Sequence, residues 1–266
     1  MDNITNSFTF DNVELVSGLT DELQGAYLHK MFKIKEKPIL YLTSTLYEAN
    51  KMYQILQNYT EDVLFFPMDD FLTSEAIATS PEFEITRLET LNSLILDENK
   101  IVVTNLMGYL RFLPNTSLFE SKQLKLEKGQ DINIKNLVDE LYSIGYRKET
   151  IVNKTGEVAV RGFIVDIFPL TFDNPIRIEF WGDTVESIKF FDIDSQRSFK
   201  EVNSVKISPY TEFLTTKNIE IKKQKELVNY ENVVNIGSYL KKHLIVYRNF
   251  NEIIISYEKI LNDIEN

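Results

Sequence analysis

The 266-residue chain has no cysteine, only two histidines, His29 and His243, and a single tryptophan, Trp181. Without cysteine there is no disulfide framework, no thiolate metal site and no thiol nucleophile. Two isolated histidines make a histidine-rich metal centre an unsuitable reading. No G-x-S-x-G motif occurs, and neither histidine sits in a triad context; His29 falls on a helical pattern, where a packing role is expected. No apolar run approaches the 18 residues of a membrane span, and the N-terminal MDNITNSFTFDN is polar rather than a signal sequence. The expectation is a soluble, cytoplasmic protein. A basic surplus is also missing, since the formal net charge is −11. Residues 1–116 carry 8 basic and 17 acidic groups, residues 117–210 carry 13 and 15, and residues 211–266 carry 8 of each. Phosphate contacts supply most nucleic-acid affinity, so this balance argues against autonomous DNA binding.

What is present is an ordinary globular composition, 43% apolar and 26% charged. In the first 110 residues, VELVS (13–17), PILYLT (38–43), VLFFP (63–67) and KIVVTN (100–105) read as strands buried on both faces of a parallel sheet. Helical patterns over 21–33, 45–58 and 81–97 separate them, the second behind Thr43-Ser44-Thr45 and the third behind Ser80-Pro81. Strand–helix alternation of this kind predicts a doubly wound α/β domain. From about residue 117 the pattern changes. A helix over 133–146, capped by Gly145, is followed by closely spaced strands at 157–169, 175–183, 184–192 and 201–209. Ile176, Ile178 and Phe180 alternate with Arg177, Glu179 and Trp181, and Gly182-Asp183 marks a hairpin turn. This predicts a small α+β domain on an antiparallel sheet. HLIVYR (243–248) and a helix over 251–261 suggest a return to the first sheet, with the α+β domain inserted. The expected divisions are 1–116, 117–210 and 211–266.

LVSGLTDELQGAYL (15–28) has the strand–glycine–helix layout of a phosphate loop. A working loop needs a lysine on the phosphates and a Ser/Thr hydroxyl for Mg²⁺. Here Gly18 is followed by Asp21 and Glu22, and Leu23-Gln24-Gly25 stands where Gly-Lys-Ser/Thr would sit. Two carboxylates would repel a triphosphate, but they suit the first turn of a helix. Asp69 and Asp70, following a strand, are a candidate acidic metal pair at a sheet edge. On the middle domain, Arg161, Arg177, Glu179 and Trp181 share the outward face, and Arg and Trp are the residue types that dominate interface hot spots.

GEVAVRGFIVDIFP, NPIRIEFWGDTVESIKFFDIDSQRS and VKISPYTEF, together with FPMDDFLTSEAIATSPEFEITRLETL (66–91), resemble the N-terminal module of the bacterial transcription-repair coupling factors. The excision protein UvrB shares a similar domain 2. The resemblance covers roughly residues 13–213 and implies domains 1a, 2 and 1b, with domain 2 inserted. Domain 1a would be a RecA-like motor half without a working P-loop, its degenerate loop at Gly18, Asp21, Glu22 and Gly25. Domain 2 would dock the damage-recognition ATPase UvrA through Arg161, Arg177, Glu179 and Trp181, where relatives often carry phenylalanine at the last position. UvrB's aromatic clamp hairpin has no counterpart in residues 67–80, where Phe71 is the one aromatic. The expected function is recruitment without catalysis, with no cofactor or metal and no membrane association. RNA polymerase and DNA would be reached only through domains beyond these residues. The competing class is a nucleotide- or DNA-processing enzyme domain using Asp69 and Asp70.

Overall fold

The computed structural model describes residues 10, 13–70, 80–97, 99–216, 224–230 and 232–265. The chain forms two compact units, Met1–Arg111 with Asn235–Asn266, and Phe112–Val234. The first opens with α1 (Asp21–Lys35). Thr20 caps it by accepting the Leu23 N–H, and Asp21 and Glu22 lie at the positive end of its dipole. Then follow β1 (Ile39–Thr43), α2 (Leu46–Gln57), β2 (Val63–Phe66), α3 (Pro81–Leu96), β3 (Ile101–Asn105) and the single turn α4 (Leu106–Tyr109). In α2 the buried Ala49, Met52 and Leu56 recur at helical spacing and join Ile39, Tyr41, Ile101 and Val103 in one core. Burying each of the larger side chains contributes roughly 1.5–3 kcal/mol.

The second unit contains β4 (Leu113–Pro114), α5 (Thr116–Ser121), β5 (Leu124–Glu127), α6 (Ile134–Ser143), β6 (Arg147–Lys148), β7 (Glu157–Arg161), β8 (Ile164–Ile167), β9 (Ile176–Trp181), β10 (Thr184–Phe191), β11 (Ser198–Val202), β12 (Ser204–Ile207), α7 (Gln224–Tyr230) and β13 (Val233–Val234). Its main sheet has the order β11-β10-β9-β8-β7-β6 and is antiparallel except for β6 on β7. Ile176, Ile178 and Phe180 are buried on one face, and α6 buries Leu137, Val138 and Leu141.

The chain then re-enters the first unit with β14 (Leu244–Tyr247) and α8 (Phe250–Glu265). β14 pairs in parallel with β1, giving an all-parallel sheet of order β14-β1-β3-β2. On it, Leu42, Leu106 and Ile253 form a second small core. No helix among the described residues is long and apolar enough to cross a membrane.

Four local expectations are corrected. VELVS forms no strand: residues 13–17 are irregular, Leu15 is 84% exposed, and β1 already has β3 and β14 on its two edges. The run 157–169 is a hairpin rather than one strand, folding at Gly162-Phe163. The run 201–209 breaks at Asn203, and β12 leaves the main sheet to pair with β5. Ser80 starts α3 without a side-chain cap, leaving Pro81 as the start signal. Gly145 does follow the end of α6, at φ +100°, and a Cβ there would stand 2.7 Å from the Tyr210 carbonyl oxygen. Gly145→Ala is therefore expected to destabilise the protein by about 1–3 kcal/mol in urea unfolding, whereas an exposed helix Gly→Ala change would stabilise it.

Candidate functional site

The outward face of the antiparallel sheet is built by cross-strand register. Asp166 of β8, Arg177 of β9, Lys189 of β10 and Glu201 of β11 lie opposite one another in a single row. The Asp166 side chain is 2% exposed, and a carboxylate so buried must be paired. Arg177 grips it with two bonds, Nε to Oδ1 at 2.8 Å and Nη2 to Oδ2 at 3.0 Å. The same guanidinium gives Nη1 to the Gln196 carbonyl at 3.1 Å and lies 4.5 Å from the centre of the Phe191 ring. Arg177 is thus held on three sides, its side chain only 13% exposed. Arg161 reaches Asp166 Oδ2 from β7 with Nη2 and keeps its side chain 47% exposed.

Glu179 sits in the next row of this face, opposite Ser187, and accepts from Ser187 Oγ and Lys189 Nζ, both at 2.6 Å. The Lys189 ammonium first, and the Ser187 hydroxyl second, hold its carboxyl below the ordinary carboxylate range. Trp181 ends β9 on the same face and is 81% exposed. The structure therefore brings Arg161 and Arg177 together on one carboxylate, ties Glu179 to Lys189, and leaves Trp181 projecting. Asp166 was missed by the sequence reading. Its signal was a lone acid inside the apolar run FIVDIF, which demands a buried cation on a neighbouring strand.

The glycine-loop residues have other employment. Gly18 lies in an open turn, and Gly25 lies inside α1 against the Ile55 side chain, at a helix–helix approach too close for a Cβ. Gln24, where a phosphate-binding lysine would stand, donates to the Leu19 carbonyl and accepts from the Tyr41 hydroxyl. Asp21 accepts from Arg248 Nη2 at 2.8 Å and pairs with Lys51. Arg248, just past β14, also binds Glu48 through Nε at 2.9 Å. Glu22 is exposed on the first turn.

The acidic-pair reading of Asp69 and Asp70 is corrected for Asp70, whose carboxylate caps α2 by accepting the Leu46 N–H at 2.8 and 3.0 Å and also takes Asn105 Nδ2 at 2.7 Å. Phe71 lies outside the described residues. His29 stacks on Tyr59, and His243 contacts the Leu240 carbonyl through Nδ1, both local packing roles. Among the described residues no three His, Asp or Glu converge to hold a metal ion.

Residues 124–213, which carry this face, match the UvrB interaction domain. Over most of its length the chain is similar to transcription-repair-coupling factors. It is 34% identical over 203 residues to the Bacillus subtilis (strain 168) protein, covering 76% of this chain and 17% of that one. To the Staphylococcus epidermidis protein it is 32% identical over 215 residues, covering 80% and 18%. To the Staphylococcus aureus (strain USA300) protein it is 30% identical over 221 residues, covering 82% and 19%. The chain spans less than a fifth of the length of these relatives.

Two measurements test this geometry. Asp166→Asn leaves two guanidinium groups facing a neutral amide and is expected to cost about 3 kcal/mol in urea unfolding, the low end for breaking a buried pair because Arg161 can turn to solvent. Glu179 has a folded-state pKa below its unfolded value, so its contribution is present above the ordinary carboxylate range and is lost as pH falls through the folded value. Between about pH 5 and pH 3 the wild type should lose more stability than Glu179→Gln; parallel acid limbs would contradict that assignment.

Proposed function

We propose that this chain is a recruitment module: it binds UvrA through the face bearing Arg161, Arg177, Glu179 and Trp181, and so links stalled RNA polymerase to nucleotide excision repair. The observation that carries the reading is Trp181, a large aromatic left four-fifths exposed on a face where Arg177 and Glu179 are held by ion pairs. Such an anchor beside a half-exposed arginine is the composition of an interface hot spot, and its pre-ordered neighbours lower the entropy cost of binding. Contacts with polymerase and with DNA would fall to the remainder of a longer protein.

The parallel-sheet unit is, in this reading, a RecA-like half that no longer takes nucleotide and performs no catalysis. Support comes from the C-terminal edge of its sheet, where ligands of α/β folds bind. There Asp21, Glu48, Lys51 and Arg248 neutralise one another, so the cations that would meet a phosphate already hold carboxylates. Lys51 holds the Asp21 carboxyl below its ordinary range, as expected of a committed ion pair.

The test is capture of UvrA from the same bacterium by the immobilised chain. Wild type should bind, Trp181→Ala should weaken binding about tenfold or more, and Arg161→Ala should weaken it less. Arg177→Ala is a poorer probe, because removing it strands Asp166 and disturbs the sheet. Failure of the wild type to bind, or undiminished binding by folded Trp181→Ala, would overturn the proposal.

A further inference from the structure

A second interaction surface lies on the edge of the antiparallel sheet, away from the face carrying Trp181. β6 is only two residues long and pairs with β7 at Glu157 and Val158 alone. Beyond Glu149, whose N–H still reaches Val158, β7 has no strand paired on this edge, and what the edge presents follows from the ladder. The two-residue turn Gly162-Phe163 closes on the pair Arg161·Ile164, which in a hairpin of this length is hydrogen-bonded. Pairs alternate, so Val160·Val165 is non-hydrogen-bonded, and the Val160 N–H and C=O point away from β8. A separate observation agrees. The Val158 carbonyl accepts the Glu149 N–H at 2.9 Å on the β6 side, and backbone groups two residues apart point the same way. Val160 thus offers a donor and an acceptor where β6 has already ended.

The side chains beside this backbone are those of a binding groove. A cleft of about 750 Å³ runs between α6 and the tips of the two hairpins, lined by Val138, Tyr142, Val160 and Phe163. Phe163 is 64% exposed on the hairpin turn, and Tyr142 and Val160 are also exposed. Its charged lining is Lys135 and Lys148 against Asp183 alone. Sheets usually guard such an edge with proline, an edge lysine or a covering element; here Lys148 stands at the end of β6, and the Val160 N–H and C=O have no backbone partner outside the strand ladders among the described residues.

We propose that this edge receives an extended segment of a partner protein as an added strand, in line with β6. Its main chain pairs with Val160, its apolar side chains enter the cleft against Tyr142 and Phe163, and its carboxylates meet Lys135 and Lys148. The open backbone pair selects an extended occupant over a helix, and the two lysines select an acidic one. The surface is independent of the UvrA reading, because Trp181 projects from the opposite side of the sheet.

The probe is an eight-residue peptide of alternating glutamate and valine, titrated into the ¹⁵N-labelled chain. Saturable shifts centred on the Val160 and Lys148 amides are expected. The same peptide N-methylated at alternate amides, and a lysine–valine peptide, should each bind at least tenfold more weakly. Val160→Pro removes the outward donor while leaving the β8 ladder intact, and should abolish the shifts. Phe163→Ser, at an exposed turn position with little bearing on folding, should weaken binding several-fold, while Trp181→Ala should bind the peptide as wild type does. Absence of saturable shifts, equal binding of the N-methylated or lysine peptide, undiminished binding by Phe163→Ser, or loss of binding in Trp181→Ala would each overturn the proposal.

Discussion

The Asp166 carboxylate is the constraint around which the outward face of the antiparallel sheet is arranged. It is buried in a strand whose other residues are mostly apolar, and an unpaired charge there would cost several kcal/mol. Arg177 meets the cost with two bonds in the plane of the carboxylate, and Arg161 adds a third from the other neighbouring strand. Once its guanidinium is spent this way, Arg177 can lie over the Phe191 ring, which closes a small cluster with Val152, Ala159 and Phe168. The consequence for recognition is a division of labour. Arg177 is framework, holding strands β8 and β9 and the Gln196 turn in fixed relation. Arg161 and Trp181 keep the exposure needed to meet another surface.

Ionic closure of another kind completes the parallel-sheet unit. Asp21 and Arg248 are 227 residues apart in the chain, yet they bond directly, and Arg248 also reaches Glu48. The last strand therefore supplies more than an edge for β1. It brings the cation that, together with Lys51, balances Asp21 and Glu48 in the most acidic of the three divisions of the sequence. An inserted unit of over a hundred residues is compatible with this only because the chain returns to the same sheet at the register Ile39 to Leu244.

The sequence made legible what depends on periodicity and on local backbone chemistry. Alternation along β9 assigned Arg177, Glu179 and Trp181 to one face because a pleated strand permits no other arrangement. Thr45 and Gly145 marked helix ends through caps that act within a few residues. The return of residues 244–247 to the first sheet was readable from a short apolar run alone. What could not be read was partnership at long range. VELVS has the composition of a buried strand, and only the occupancy of both edges of β1 keeps it out of the sheet. Asp70 looks the same in sequence whether it binds a metal or caps a helix 24 residues away. Arg177 looks the same in sequence whether or not a buried Asp166, eleven positions earlier, holds it.

β7 shows how one strand can serve two kinds of recognition without conflict. Along an extended chain the side chains alternate between faces, and the backbone donor–acceptor pairs alternate between edges, both with a period of two. Arg161 sends its side chain to Asp166 on the outward face and its backbone to β8. Val160, one residue earlier, does the reverse on both counts: its side chain faces the cleft beside α6 and its backbone faces the open edge. The brevity of β6 is what separates the two roles. Two more residues of pairing would cover Val160, leaving only the side-chain face for partners. Because the strand ends at Lys148, adjacent residues of the UvrB interaction domain can address two different surfaces, one by charge and aromatic contact, the other by main-chain pairing.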